Sequence, residues 1–150
     1  MSKSIYLLAC VFLIACTSTS TNNTSEQTTM SNTNKDWIYN TNIYEVNLRQ
    51  YTKEGTIKAF ANEISRLKDM GVKTLWFMPI TPIAQKNKKG SLGSYYAAAD
   101  YTSVSPEFGT VKDFKELVDQ AHSQGLKVII DWVANHTGWD HVWTKTQPEY

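Results

Sequence analysis

The chain has 150 residues, enough for about one ordinary domain. Fifteen Lys and Arg against fourteen Asp and Glu leave a formal net charge of +1, which excludes a polycationic nucleic-acid binder. A hydrophobic content of 41% excludes global disorder. The two cysteines, Cys10 and Cys16, both fall in the first sixteen residues. The rest of the chain therefore holds no disulfide, thiolate zinc site or cysteine nucleophile.

Lys3 opens the chain with a positive charge, and residues 5–15 form an unbroken apolar run. As a helix, eleven residues rise roughly 16 Å, about half a bilayer core, so the run is too short to span a membrane. It has the dimensions of a signal-peptide h-region. Its end, Leu13-Ile14-Ala15-Cys16, resembles a bacterial lipobox, in which the cysteine is acylated before cleavage. That resemblance implies a mature chain starting at a palmitate-bearing Cys16, anchored in the cell envelope. Thr17 is not the Asp that typically retains lipoproteins at the inner membrane, so an outer-membrane or periplasm-facing location is expected. Residues 17–34 hold seven Thr, four Ser and four Asn and no aromatic residue. Such a stretch buries too little apolar surface to offset its ordering entropy and reads as a disordered tether. The expected division is thus signal peptide 1–15, tether 16–35 and a folded domain over 36–150.

Residues 43–48 alternate as a strand does, with β-branched and aromatic side chains, and Gly55 marks its end. Residues 56–70 then read as one helix with Ile57, Phe60, Ile64 and Leu67 on a single stripe and Gly71 as the C-terminal glycine. Residues 72–78 form a short apolar run stopped by Pro79, suited to a strand buried on both faces. A connection of about thirty residues follows, a length that signals function. Thr110 and Asp113 form a capping box for a second helix, whose stripe is Phe114, Leu117, Val118 and Ala121 and which Gly125 closes. Residues 126–130 are a second buried-type strand running directly into Asp131. Strand, helix and strand repeated in this way are the grammar of a parallel α/β protein. Right-handed crossovers gather the strand C-termini on one face, where such folds keep their sites.

Two segments on that face carry the chemistry. One is Asp131-Trp132-Val133-Ala134-Asn135-His136, followed by Trp139, His141 and Trp143. The other is Gly93-Ser94-x-Tyr96 with Asp100-Tyr101, then Pro106-x-Phe108-Gly109-Thr110. Tyr and Trp offer flat apolar faces, and Asp, Asn and His offer fixed hydrogen-bond partners. Together they suit a sugar, whose C–H faces pack on rings while its hydroxyls need partners. Trp76 and Phe77 lie inside a strand and read as core. A zinc pair of His136 and His141 is disfavoured, because nothing else resembles a catalytic zinc set.

The first segment resembles the Asp-x-Val-x-Asn-His region of glycoside hydrolase family 13, the α-amylase family, and the second resembles that family's second βα loop. The resemblance covers roughly residues 36–150. It implies a (β/α)8 TIM barrel, here its first three βα units before barrel closure, acting on α-1,4-glucans with retention of configuration. In such enzymes Tyr96 would stack on the sugar just before the scissile bond, His136 would hydrogen-bond its hydroxyls, and Asp131 would hold the polar network. Asn135 matches a position that binds structural calcium (Ca2+) in many relatives, although its partner ligands usually come from a loop not found here. Ala97 stands where several exo-acting relatives carry an acidic residue, which leans toward endo action. The family's nucleophile and acid/base follow the fourth and fifth strands, so no catalytic carboxylate is expected in this chain. It reads as an N-terminal fragment, inactive alone, of an enzyme of carbohydrate catabolism. The alternatives are a non-catalytic, membrane-tethered glucan-binding protein on the same fold and a glucanotransferase of the family. No G-x-G-x-x-G, P-loop or G-x-S-x-G occurs, which disfavours a nucleotide-binding domain and a serine hydrolase.

Overall fold

The structure is a computed structural model that describes residues 36–149, all of them within one compact unit, Asn34–Tyr150. The signal peptide, the tether and Cys16 lie outside the described residues. In chain order the elements are α1 (Asp36–Tyr39), β1 (Ile43–Val46), α2 (Leu48–Tyr51), α3 (Ile57–Ala61), α4 (Ile64–Asp69), β2 (Thr74–Phe77), α5 (Val111–Ser123), β3 (Lys127–Ile130) and α6 (Trp143–Thr146). The strands form a parallel sheet in the order β1-β2-β3, not closed into a barrel, as the βαβ grammar requires.

Register follows from packing. Val46 pairs with Phe77, and Phe77 with Ile130, on the face that carries the helices. Phe77 is fully buried there between two edge-on rings, Phe60 of α3 at 5.2 Å and Phe114 of α5 at 5.6 Å. Tyr51 of α2 continues the column against Phe60 at 4.7 Å. Edge-to-face pairs of this kind add specificity to the area they bury. One aromatic column therefore holds the helices of both crossovers on the same face. At the opposite end of the strands Asn42 locks the entry. Its amide donates to the Gly71 carbonyl, and its carbonyl accepts from the Lys73 amide, at 3.0 and 2.8 Å.

The capping box at Thr110 forms as its residues specify, with both reciprocal bonds present. Four expectations need correction. Residues 56–70 are not one helix. The chain tightens at Asn62 and Glu63, whose amides bond three residues back, to Ala59 and Phe60, so α3 and α4 are separate turns. The stripe survives the break, because Ile57, Phe60, Ile64 and Leu67 are all buried. The first strand ends at Val46, not at residue 48: Asn47 turns the chain and Leu48 begins α2. The third strand is not buried on both faces. β3 is the sheet edge, and Ile129 and Ile130 remain 39% and 44% exposed. Trp76 is only half-buried, unlike Phe77, because alternate residues of β2 face away from the helices.

Replacing Phe77 with Ala would empty the centre of the aromatic column. The expected loss is about 3–5 kcal/mol of unfolding free energy, read by urea denaturation of the intact protein. A loss below about 1 kcal/mol would show that the column does not carry the sheet–helix packing.

Candidate functional site

The ladder continues one step past the strands. Met78 N–H donates to the Val46 carbonyl at 3.0 Å, and Asp131 N–H to the Phe77 carbonyl at 2.8 Å. Asn47, Met78 and Asp131 therefore leave the sheet side by side, and their row is the rim of the site.

Two adjacent tyrosines of the long β2–α5 loop reach the two ends of this row. The Tyr95 hydroxyl donates to Asn47 Oδ1 at 3.1 Å, and the Tyr96 hydroxyl donates to Asp131 Oδ2 at 3.0 Å. The hydrogen bond to Asp131, reinforced by partial desolvation, holds the Tyr96 phenol above the ordinary tyrosine range. A proton on the phenol is what the carboxylate prefers to face. Tyr96 keeps 37% of its surface exposed beside this bond, so its ring remains available to a ligand.

A charged brace lies behind Tyr95. Arg49, just past β1, sits over the Tyr95 ring at 4.5 Å and forms a bidentate pair with Glu107 at 2.7 and 2.8 Å. Glu107 raises the Arg49 pKa above its ordinary value. Arg49 and Glu107 carried no assigned role in the sequence. Their signal was positional: one follows a strand end, and the other sits inside the Pro106–Thr110 motif. That motif is further tied to the first crossover, where the Ile57 amide donates to the Phe108 carbonyl at 2.9 Å.

The segment after β3 is held by Tyr101, whose hydroxyl lies 3.0 Å from the Val133 carbonyl and 2.7 Å from that of His136. Burial pushes the Tyr101 phenol pKa up. Asp100, one residue earlier, receives the Thr102 hydroxyl and amide and the Ser103 hydroxyl, which hold its carboxyl below the usual range. Two recesses border this hinge. Tyr96 and Asp131 share a small one with Trp132. Asn135 and His136 line a separate cleft of about 450 Å3 with His141 and Trp143, and Tyr101 and Trp132 border both. The structure thus brings Tyr96 and Asp131 into contact and sets His136 apart from them, in the adjoining cleft. The His136 ring has the Asn135 amide as its hydrogen-bond partner, at 3.2 Å.

His141 is fully buried, and its Nδ1 accepts from the Trp143 amide at 3.1 Å. Asp140, nine residues beyond Asp131, points elsewhere: burial raises its pKa, but the Lys86 and Gln85 amides outweigh this and hold its carboxyl low. Calcium requires six to eight oxygen ligands. Among the described residues no group of three or more His, Cys, Asp or Glu is clustered as a metal site, and Asn135 offers one amide oxygen toward a calcium ion.

A parallel sheet with helical crossovers, whose polar and aromatic side chains converge at the strand C-termini, defines the βα class of scaffold that keeps its site on that face. The family model described as the alpha amylase catalytic domain matches residues 18–150, and the chain belongs to that family. It is 38% identical over 89 residues to the alpha-amylase SusG of Bacteroides thetaiotaomicron, an alignment covering 59% of this chain and 12% of that protein. It is 35% identical over 113 residues to a trehalose synthase of Pimelobacter, covering 72% of this chain and 19% of that protein. The crystal structure of an alpha-amylase from Lactobacillus plantarum superposes with a TM-score of 0.72 at 45% identity, over 74% of this chain and 26% of that one. The chain therefore spans between 12% and 26% of the length of these proteins. Its fold is the first three βα units of their (β/α)8 barrel, unclosed.

Replacing Asp131 with Asn removes the carboxylate that stabilises the protonated Tyr96 phenol. The Tyr96 titration is expected to move to lower pH, toward the ordinary tyrosine value. Ultraviolet difference titration against a Tyr96→Phe blank reads this, and an unmoved titration would mean the bond is not formed in solution.

Proposed function

We propose that this chain supplies the sugar-holding wall of a retaining glycoside hydrolase acting on α-1,4-glucans. The observation that carries the reading is the Tyr96–Asp131 hydrogen bond of 3.0 Å at the strand rim, which orients an exposed ring beside a carboxylate. Tyr96 stacks on the glucosyl unit just before the scissile bond. Asp131 fixes that ring and anchors the network around the sugar, and His136 hydrogen-bonds the sugar's hydroxyls from the adjoining cleft.

Retaining hydrolysis needs two carboxylates about 5 Å apart, one to attack and one to donate and accept the proton. Asp131 is engaged by the Tyr96 phenol, and Asp140 is turned into two backbone amides. Neither is placed to attack a sugar, which supports assigning nucleophile and acid/base to later strands of the complete barrel. The role of residues 36–149 is to bind and orient, holding the substrate where those groups act.

The trehalose synthase among the relatives favours a second reading within the family, transfer of the glucosyl unit to a sugar acceptor instead of water. A non-catalytic glucan-binding protein on the same fold would bind starch and release nothing. We also propose that the protein is lipid-anchored through Cys16 and faces the periplasm or outer membrane, on the strength of the lipobox alone.

The test is starch hydrolysis by the complete gene product, followed as reducing sugar. Tyr96→Ala is expected to lower kcat/KM by roughly a hundredfold, because orientation at the reacting centre is lost. Tyr96→Phe, which keeps the ring, should lose less. An unchanged Tyr96→Ala enzyme would overturn the role of this residue, and sugar transfer without net hydrolysis would favour the transferase. Incorporation of labelled palmitate, abolished by Cys16→Ser, is the outcome expected for the anchor.

A further inference from the structure

A second cleft, about 420 Å3 in volume, opens between the β2–α5 loop and the segment after β3. It reaches the chain on both sides of Tyr96, since Ser94 and Ala97 both line it. One wall is Trp139, 70% exposed. An isolated surface indole needs no explanation. This one differs in how it is held and in what lies across from it.

Both residues flanking Trp139 are fixed to the opposite loop. The Gly138 amide donates to the Ala98 carbonyl at 2.8 Å, and the backbones approach so closely that a Cβ on Gly138 would collide with the Ala84 Cβ. On the other side the Asp140 carboxylate takes the Gln85 and Lys86 amides, each at 3.2 Å. The indole therefore stands on a pinned turn, with little backbone entropy left to lose when a ligand arrives. Across the cleft the chain carries Lys86, Asn87 and Lys88. That turn is also shaped: Asn87 takes a left-handed backbone at φ 57°, and the Lys88 ammonium donates to Gln85 Oε1 at 2.8 Å.

A flat apolar face opposite amine and amide groups is the chemistry that recognises a pyranose, through its C–H face and its hydroxyl oxygens. No carboxylate lines the cleft, so it binds without cleaving. We propose that it is an outlying glucan subsite, in which Trp139 stacks on a glucosyl unit farther along the same chain that Tyr96 holds. The inference rests on the glucan reading of Tyr96. It adds that affinity grows with chain length and that Trp139 is the residue responsible.

Calorimetric titration of the complete gene product with maltose and with maltoheptaose separates the two claims. Trp139→Ala is expected to weaken maltoheptaose binding roughly five- to tenfold, the size of one stacking contact, and to leave maltose unchanged. Trp139→Tyr, which restores a stacking ring, should recover most of the loss, and Tyr96→Ala should weaken both sugars. Matched thermal midpoints of the variants would confirm that folding is not what changed. Equal maltoheptaose affinity in wild type and Trp139→Ala, with Tyr96→Ala still impaired, overturns the subsite and leaves the glucan reading standing. Equal weakening of both sugars by Trp139→Ala also overturns it. Absence of binding of either sugar to the wild-type protein overturns both readings.

Discussion

Two neighbouring tyrosines divide their hydroxyls between the ends of two strands that do not touch each other. Tyr95 reaches Asn47 after β1, and Tyr96 reaches Asp131 after β3, with β2 between them. This works only if the three strands stop at the same height. The parallel register does that, and the buried Phe77 at its centre sets it. The geometry of the rim thus depends on how the strands pack against the helices.

The brace behind the tyrosines has the same logic. Arg49 grips Glu107 and covers Tyr95, while Tyr101 gathers the carbonyls of Val133 and His136. A loop of some thirty residues would ordinarily be mobile, and anchors of this kind let it present side chains with the accuracy that binding requires. The isolated bridge from Ile83 to Ala98 closes the loop on itself and narrows its freedom further.

Much of this was legible before any coordinates. Alternation placed the first strand, and short apolar runs bounded by glycine or proline placed the other two. The capping box at Thr110 was readable because both partners lie within four residues. The break at Asn62 was not, since it preserves the apolar stripe and so leaves no mark in the pattern. The exposure of Ile129 and Ile130 was not readable either: an apolar run has the same composition whether its neighbours are present or not. The site divided in the same way. The Asp131 and Tyr96 motifs announced themselves, whereas Arg49 and Glu107 are 58 residues apart and only the fold brings them together. The separation of His136 into an adjoining cleft likewise depends on how Tyr101 folds the segment after β3.

The contact between Gly138 and Ala84 has a consequence for how this chain can diverge. There is space for one methyl group where the two backbones meet, and Ala84 occupies it. A side chain at 138 would collide with that methyl and also crowd the Ala98 and Ala97 carbonyls at 3.0 and 3.1 Å, so position 84 must give its methyl up first. The coupling therefore runs one way: loss of the methyl at 84 meets no clash, whereas a side chain at 138 collides while that methyl is present.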